Sequence, residues 1–301
     1  MKKIIGAVIP AVTPFDGAGD LRIDWMRQIY DRWNRTRVAG YMSLGSNGEF
    51  RALSDDESVV VLKAASEAAS PEKVFIAGVG RESLRGTLDF LRRLEAARLR
   101  TDYVSVLTPH YFRARMTDEA LVGYFTAIAD RSPWPVLLYC APGFANGVCV
   151  SPEALCALAD HPNIAGIKDT SKDQMEGYLA AVGSRKDFTV MAGSIGNLKT
   201  CVKGGGTAGV LSCANYFPNL CARVASELLK DPETPLYPRV KALAASTGGL
   251  AGVSGVKAVM GILGYPAGVP RLPVLPCGEA LQAEMRSAVE AVPDLLEDDV
   301  T

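Results

Sequence analysis

Short apolar runs alternate with amphipathic segments along most of this 301-residue chain, and this alternation limits the folds available to it. Eight runs have the length and composition of buried strands, and the segments between them mostly space their apolar residues as a helix does. Continuous apolar strands that alternate with helices indicate a parallel sheet covered by helices. The runs begin near residues 5, 40, 73, 102, 135, 163, 188 and 207.

The number and order of these units favour a closed architecture. Eight strand-helix units without a switch in pattern predict an α/β fold of the (β/α)8 TIM barrel type rather than a doubly wound open sheet. We expect the barrel in residues 1–230 and a C-terminal helical extension packed on it in residues 231–301, with helical runs near 238–263 and 278–293. Reactive groups in such barrels lie at the carboxyl ends of the strands and in the loops that follow them.

Composition and charge argue against several classes of partner. The net charge of −1 gives no basis for binding nucleic acid or an anionic membrane, so a small-molecule ligand is expected. Lys2 and Lys3 precede an apolar run, as in a signal peptide, but Pro10 interrupts the run and no cleavage pattern follows. A first strand is the better interpretation. No stretch approaches the length of a membrane span, and a cytoplasmic location is predicted.

The seven cysteines and two histidines indicate neither a disulfide framework nor a metal site. The cysteines are odd in number, never form a Cys-x-x-Cys pair and lie mostly in apolar stretches, as small core residues of a reducing compartment do. Neither His110 nor His161 lies in a run of Cys, Asp or Glu with ligand spacing. A metal site is therefore not expected.

Lys168 stands at the end of the sixth run, in the segment HPNIAGIKDTSKD, where a charge is costly to bury. The two-residue period of a strand would point Ile164, Gly166 and Lys168 to one face, with the lysine inside the barrel near its open end. Partial desolvation there would favour the neutral amine, which attacks carbonyl carbons to form a Schiff base. The alternative is a lysine that pairs with Asp169 or extends along the rim into solvent.

Tyr139 occupies the corresponding end of the fifth run, so its phenol and the Lys168 amine would meet at the same barrel mouth. A phenol in that position can relay a proton to and from a carbinolamine and the substrate oxygen. A core tyrosine whose hydroxyl bonds to the backbone is the alternative interpretation. The tyrosine therefore strengthens the case for Schiff-base chemistry at this mouth.

Two glycine-containing loops follow strands and could hold a substrate at the same face. In GSNGEF, after the second run, the N–H groups of Ser46 and Asn47 could bind a carboxylate, with Gly48 permitting close approach, unless the loop is a plain turn. In AGSIGN, after the seventh run, Gly193 and Ser194 could contact the far end of a substrate. Both loops are therefore candidates for substrate binding.

Two further loops can be explained without a role in binding or catalysis. TPHYF exits the fourth run, where Tyr111 could pack in a neighbouring loop or reach an active site. KGGGTAG at 203–209 has the composition of a phosphate-binding loop, but it precedes the eighth run and would lie on the opposite face. We interpret it as a turn.

Four motifs, in their order and spacing, resemble those of the dihydrodipicolinate synthase and N-acetylneuraminate lyase family. The likeness covers residues 5–215 as motifs and the rest of the chain as architecture. It implies a TIM barrel with C-terminal helices, usually a homotetramer, and class I chemistry in which a lysine forms a Schiff base with pyruvate or another 2-oxo acid, without metal or other cofactor. The motifs are GSNGE at 45–49, TPHY at 108–111, Tyr139 with Pro142, and GIKD at 166–169.

The resemblance assigns roles to individual residues of this chain. Lys168 is implied to be the Schiff-base lysine and Tyr139 the proton-relay phenol. Ser46 and Asn47 match the pair that binds the pyruvyl carboxylate. Tyr111 matches a relay tyrosine that acts across a subunit interface.

Departures from the family pattern bear on the substrate. In the synthases an arginine two residues after the proline of the strand-five loop binds the second substrate, whereas this chain has Phe144 there, in a more apolar wall. The sialic acid lyases carry acidic residues after the strand-seven glycine, where this chain has Ser194-Ile195-Gly196. The segments GSNGEF, RARM, HPNIAGIKD and AGSIG most resemble those of 4-hydroxy-2-oxoglutarate aldolases, by which likeness Thr170 could hold a distal carboxylate.

The sequence therefore predicts a Schiff-base aldolase, a lyase that cleaves a 4-hydroxy-2-oxo acid such as 4-hydroxy-2-oxoglutarate to pyruvate and an aldehyde. The main alternative is dihydrodipicolinate synthase, which condenses pyruvate with aspartate semialdehyde, or a related 2-oxo acid dehydratase. A non-catalytic 2-oxo acid binding protein that keeps the barrel is a third possibility.

Overall fold

The computed structural model describes residues 2–183, 185 and 187–296 of the chain. Within this part, eight parallel strands form one closed barrel in chain order, and the last strand pairs with the first. This arrangement confirms the predicted (β/α)8 TIM barrel. The strands are Gly6–Pro10 (β1), Gly40–Ser43 (β2), Val74–Gly78 (β3), Tyr103–Leu107 (β4), Val136–Cys140 (β5), Ile164–Asp169 (β6), Thr189–Ala192 (β7) and Ala208–Val210 (β8).

An α-helix follows each strand and covers the outside of the barrel. Several of these helices begin at a serine or threonine whose side chain accepts a backbone N–H of the first turn, which satisfies a donor that has no partner within the helix. The helices are Ile23–Asn34 (α1), Asp55–Ala68 (α2), Leu84–Ala96 (α3), Asp118–Ala129 (α4), Pro152–Leu158 (α5), Met175–Val182 (α6), Ile195–Lys203 (α7) and Pro218–Lys230 (α8).

The buried apolar side chains form two layers, because successive residues of a strand point to opposite faces. The outer layer packs the strands against the helices and contains large rings such as Trp33 and Phe125. The inner layer fills the barrel and includes side chains from all eight strands, such as Met42, Leu137 and Met191. Any polar group of a strand that points inward is therefore surrounded by apolar side chains.

Strand β6 departs from a simple two-residue alternation. Its pairing with β5 shifts between Val136 and Leu137, so that Ala165 has no partner in the register. Ile164 consequently packs in the outer layer and Ala165 in the inner one. The prediction that Ile164 shares a face with Lys168 is wrong for this reason.

In the part of the chain that the structure describes, four helices follow α8, and α8 itself ends at Lys230. The helical run predicted near 238–263 is two helices, since Gly248 and Gly249, poor helix formers, lie in a 3-10 turn between them. The division into a barrel and an extension stays a prediction, and residues 1, 184, 186 and 297–301 of the predicted ranges lie outside the described residues. The helices are Leu236–Ala245 (α9), Gly252–Ile262 (α10), Glu279–Glu290 (α11) and Pro293–Leu296 (α12).

A search of the described helices for a membrane-spanning segment found none with sufficient length and apolar character.

Gly166 of β6 is predicted to tolerate no side chain. A Cβ at this position would lie 2.3 Å from the carbonyl oxygen of Thr189 on β7, and backbone cannot move aside cheaply. We expect Gly166→Ala to lower the free energy of unfolding by about 1–3 kcal/mol in urea denaturation. As a control, Gly123→Ala on the exposed side of α4 meets nothing within 4 Å and should be stabilising. Equal stability of Gly166→Ala and the unaltered protein would contradict the close contact.

Candidate active site

The amine of Lys168 lies inside the barrel near the carboxyl ends of the strands. The register sets Lys168 of β6 beside Tyr139 of β5 and Met191 of β7, which both belong to the inner layer. Lys168 is only 4% exposed, so it is not a rim residue that extends into solvent. An ammonium in this position has lost most of its hydration.

The groups nearest to this amine are weak partners for a charge. Lys168 Nζ lies 3.8 Å from the sulfur of Met42 and 4.0 Å from the centre of the Tyr139 ring. The neighbouring Asp169 instead accepts the N–H and hydroxyl of Ser171, at 2.9 and 2.8 Å. Burial raises the pKa of Asp169, although the bonds from Ser171 act in the opposite direction. Within the described residues no ion pair joins Lys168 to Asp169, so that alternative interpretation is wrong.

Tyr139 connects the amine to the loop that follows β2. Its ring faces Lys168, while its hydroxyl oxygen lies 3.2 Å from Ser46 Oγ, and either hydroxyl can donate. The tyrosine is 3% exposed. A proton on the phenol can therefore be exchanged with Ser46 or with a molecule bound beside Lys168.

The loop after β2 forms a 3-10 turn, Ser46–Gly48. The N–H groups of Gly48 and Glu49 close the turn by donating to the carbonyls of Gly45 and Ser46. The N–H groups of Ser46 and Asn47, in contrast, have no acceptor among the residues that the structure describes. Free N–H groups beside a hydroxyl form a concave donor site of the kind that binds a carboxylate.

The turn is held by the loops that follow β1 and β8. The hydroxyl of Thr13 donates to the carbonyl of Gly48 at 2.7 Å. The side-chain amide of Asn47 donates to the hydroxyl of Ser212 at 3.0 Å, in the 3-10 turn that follows β8. Asn47 is thereby tethered by its side chain, while its N–H group stays available.

Thr170, Gly193 and Ser194 lie at the ends of β6 and β7, and their polar groups already have partners. The hydroxyl of Thr170 donates to a carbonyl of β5 at 3.3 Å, and the N–H of Gly193 donates to a carbonyl of β6 at 2.6 Å. Ser194 Oγ accepts the N–H of Asn197 at the start of α7. Any contact with a substrate would use the remaining capacity of the Thr170 and Ser194 hydroxyls.

Tyr111 is not brought to the amine within one chain. It is 76% exposed and stands edge-on against the exposed ring of Phe112, with 5.0 Å between the ring centres. The N–H groups of His110 and Tyr111 both donate to the Glu82 carboxylate, which orders the loop. The described residues show no contact between Tyr111 and Lys168.

A cavity of about 400 Å³ opens beside Ser46 at the barrel mouth. It lies between the loops of the barrel and the segment that precedes α11, so both parts of the chain contribute to its wall. The lining is mostly apolar and includes Phe50, Leu107, Phe144, Leu272, Pro273 and Val274.

Sequence reasoning missed several residues of this site. Met42, the nearest group to the lysine amine on β2, could have been found from the alternation within GYMSLGS. Ser212 could have been found because it is a polar residue that follows β8 at the carboxyl end of the barrel. Glu49 was visible only as a charge at the end of the glycine turn.

The arrangement brings a primary amine within 4.0 Å of the ring of a phenol, and that phenol within 3.2 Å of a hydroxyl whose turn carries two N–H groups without an acceptor among the described residues. Such groups together can bind a carboxylate and let the amine attack the adjacent carbonyl carbon. Within the described residues, no group of three or more His, Cys, Asp or Glu side chains could hold a metal ion.

Comparisons with known proteins point to one family. The model of the dihydrodipicolinate synthetase family matches residues 2–292. A 4-hydroxy-tetrahydrodipicolinate synthase of Exiguobacterium sp. is 30% identical, over 95% of this chain and 97% of its own. A probable mitochondrial 4-hydroxy-2-oxoglutarate aldolase of Emericella nidulans is 29% identical, over 97% of this chain and 95% of its own. The dihydrodipicolinate synthase of Acinetobacter baumannii complexed with pyruvate has a TM-score of 0.86 at 24% identity, covering 96% of this chain and 98% of that chain.

We expect Lys168→Met to raise the free energy of unfolding by about 1 kcal/mol, because an apolar side chain replaces a buried amine that has no carboxylate partner. Urea denaturation measures the change.

Lys73→Met provides the control, since Lys73 Nζ donates to the carbonyls of Thr36 and Val38 at 2.6 and 2.8 Å. The free energy of unfolding of that variant should be about 1–3 kcal/mol lower than that of the unaltered protein, because two carbonyls lose their hydrogen-bond donor. Equal losses in both variants would show that Lys168 is a structural lysine.

Proposed function

Because this chain belongs to the dihydrodipicolinate synthetase family and is a lyase of the aldolase type, we propose that it forms a Schiff base with its substrate and cleaves a 4-hydroxy-2-oxo acid to pyruvate and an aldehyde. The observation that most directly supports the proposal is the Lys168 amine, which is buried at 4.0 Å from the Tyr139 ring and has no carboxylate partner among the residues that the structure describes.

In the first step the substrate carboxylate binds the N–H groups of Ser46 and Asn47, which brings its 2-oxo carbon to Lys168. The neutral amine attacks this carbon, and Tyr139 supplies the proton that the carbonyl oxygen gains. Loss of water from the carbinolamine then gives a protonated imine. The hydrogen bond between Tyr139 and Ser46, at 3.2 Å, supports a phenol placed for this transfer.

In the second step the protonated imine accepts the electrons of the C3–C4 bond. The 4-hydroxyl loses its proton to the Tyr139 oxygen as the bond breaks, so that the aldehyde leaves and an enamine stays on Lys168. Tyr139 gives this proton to C3 of the enamine, which restores the protonated imine. Water then attacks the imine carbon and releases pyruvate and the free amine, while the proton set free returns to the Tyr139 oxygen. No step requires an added cofactor.

The distal half of the substrate is proposed to be that of 4-hydroxy-2-oxoglutarate or a close analogue, with Thr170 near its far end. Phe144, in the lining of the cavity, stands where the family resemblance implies an arginine in the synthases. A phenyl ring cannot pair with the carboxylate of aspartate semialdehyde, which favours aldol cleavage over the synthase reaction. The two named relatives have nearly equal identity to this chain, so identity alone does not separate the two activities.

We further propose a homotetramer in which Tyr111 reaches the site of a neighbouring subunit. The exposed rings of Tyr111, Phe112 and Phe144, at 76%, 67% and 62%, support this assembly, since large apolar rings in water favour contact with a partner. Light scattering of the purified protein tests the assembly. A cytoplasmic location stays a prediction.

Incubation with pyruvate and borohydride should leave a stable adduct on Lys168, which peptide mass spectrometry detects. Lys168→Ala should form no adduct, whereas Lys172→Met, which replaces an exposed lysine in the next loop, should react as the unaltered protein does. An unmodified Lys168 in the unaltered protein would contradict Schiff-base chemistry.

A panel of 2-oxo acids should separate the alternative activities. We expect kcat/KM for pyruvate release from 4-hydroxy-2-oxoglutarate to exceed kcat/KM for the condensation of pyruvate with aspartate semialdehyde by about 100-fold or more. The variant Phe144→Arg should reduce this ratio of kcat/KM values. Faster condensation in the unaltered protein would identify a synthase. If no substrate is turned over and Lys168→Ala still binds 2-oxo acids, the chain is a non-catalytic binder.

A further inference from the structure

Glu49 follows the carboxylate-binding turn directly and has an unusual backbone conformation. Its φ is 52°, in the left-handed region that residues other than glycine rarely adopt, and it separates the turn Ser46–Gly48 from a second 3-10 turn, Phe50–Ala52. A conformation of this kind persists only where the surroundings hold it. The contacts of the Glu49 side chain therefore bear on the shape of the turn.

The Glu49 carboxylate is held by two residues of the C-terminal third of the chain. Lys257 of α10 places its Nζ 2.6 Å from Glu49 Oε1, and their side chains are 1% and 4% exposed. The backbone N–H of Arg271 donates to Glu49 Oε2 at 2.8 Å. Lys257 also donates to the carbonyl of Val269 at 2.8 Å, which ties its position to the segment that contains Arg271.

Arg271 holds the same loop from its other end. Its guanidinium donates to both oxygens of Glu57 at 2.8 and 3.0 Å, and to the carbonyl of Ala52 at 2.7 Å. Two further bonds reach the carbonyl of Gly19, in the loop after β1. The guanidinium lowers the pKa of Glu57. The loop from Glu49 to Glu57 is thus attached to one arginine at several points.

A buried ion pair is not by itself an efficient source of stability, because both charges lose their hydration when they leave water. Such a pair is better understood where it fixes one geometry among several. Here it acts next to the N–H groups of Ser46 and Asn47, for which the described part of the chain supplies no acceptor, and on a residue whose backbone is held in the left-handed region. A small displacement of Glu49 would move those N–H groups directly.

We propose that Glu49, Lys257 and Arg271 form a positioning cluster that sets the affinity of the Ser46–Gly48 turn for the substrate carboxylate. The C-terminal part of the chain then contributes to substrate binding and does not only pack on the barrel. The proposal rests on the proposed function, since it requires that a 2-oxo acid binds at this turn.

Glu49→Gln is the mildest way to break the cluster. Burial lowers the pKa of Lys257 to about 8, and Glu49 opposes this shift by raising it. Without Glu49 the lysine can lose its proton, so the variant does not leave a buried charge unpaired. Lys257→Met removes the cation instead, and the double variant removes both charges.

The experiment measures the Lys168 adduct formed with borohydride over a range of pyruvate concentrations. We expect Glu49→Gln and Lys257→Met to raise the half-saturating pyruvate concentration by about 10- to 100-fold and to leave the maximal yield of adduct unchanged. The double variant should fold at least as well as Lys257→Met but keep the weakened binding. Arg239→Gln, which breaks an exposed ion pair with Asp294 in the same C-terminal helices, is the control and should bind pyruvate normally.

An unchanged half-saturating concentration in folded Glu49→Gln and Lys257→Met would overturn the proposal. Loss of folding in all three variants, judged by near-UV circular dichroism, would also overturn it, because the cluster would then be purely structural. The unaltered protein separates this result from the proposed function. If it forms no adduct with pyruvate, the proposed function fails, whereas an adduct with normal affinity in the variants contradicts the positioning cluster alone.

Discussion

The site depends on an amine that is withdrawn from water without an opposing carboxylate. Two buried lysines in this chain show the contrast. Lys257 lies 2.6 Å from Glu49 and is fixed by that pairing, whereas Lys168 faces a sulfur and the ring of Tyr139. A carboxylate beside Lys168 would favour the protonated form of the amine and would occupy the space that a substrate needs. The apolar interior of a closed barrel provides the setting in which one lysine is left without such a partner.

The barrel and the approach of Lys168 to Tyr139 could be predicted from the sequence, because both rest on local patterns. Eight apolar runs with helices between them describe the architecture, and the ends of two successive parallel strands must lie side by side. The irregular pairing at Ala165 could not be predicted in the same way, since a strict two-residue period contains no information about an unpaired residue. Lys168 nevertheless points inward, because only the residues that precede the irregularity change face.

The contacts of Glu49 could not be predicted from local sequence patterns either, but for a different reason. Its partners Lys257 and Arg271 lie in the last third of the sequence, and nothing in the spacing of either segment identifies the other. The available signal was chemical, namely a lysine that is the one charged residue of the mostly apolar helix Gly252–Ile262, where a charge needs a partner. The positions of the proposed reactive residues were thus predictable from their strands, while the residues that hold the Ser46–Gly48 turn required the three-dimensional structure.

The hydrogen bond between Arg271 and Glu49, beside the Ser46–Gly48 turn, has a consequence for the order in which the site is synthesised on the ribosome. The strands that carry Tyr139 and Lys168 are synthesised well before the segment that reaches Glu49. A nascent chain therefore contains both proposed reactive residues before it contains Lys257 and Arg271, which hold Glu49. If the positioning cluster acts as proposed, the affinity for a 2-oxo acid depends on residues that are translated after all eight strands.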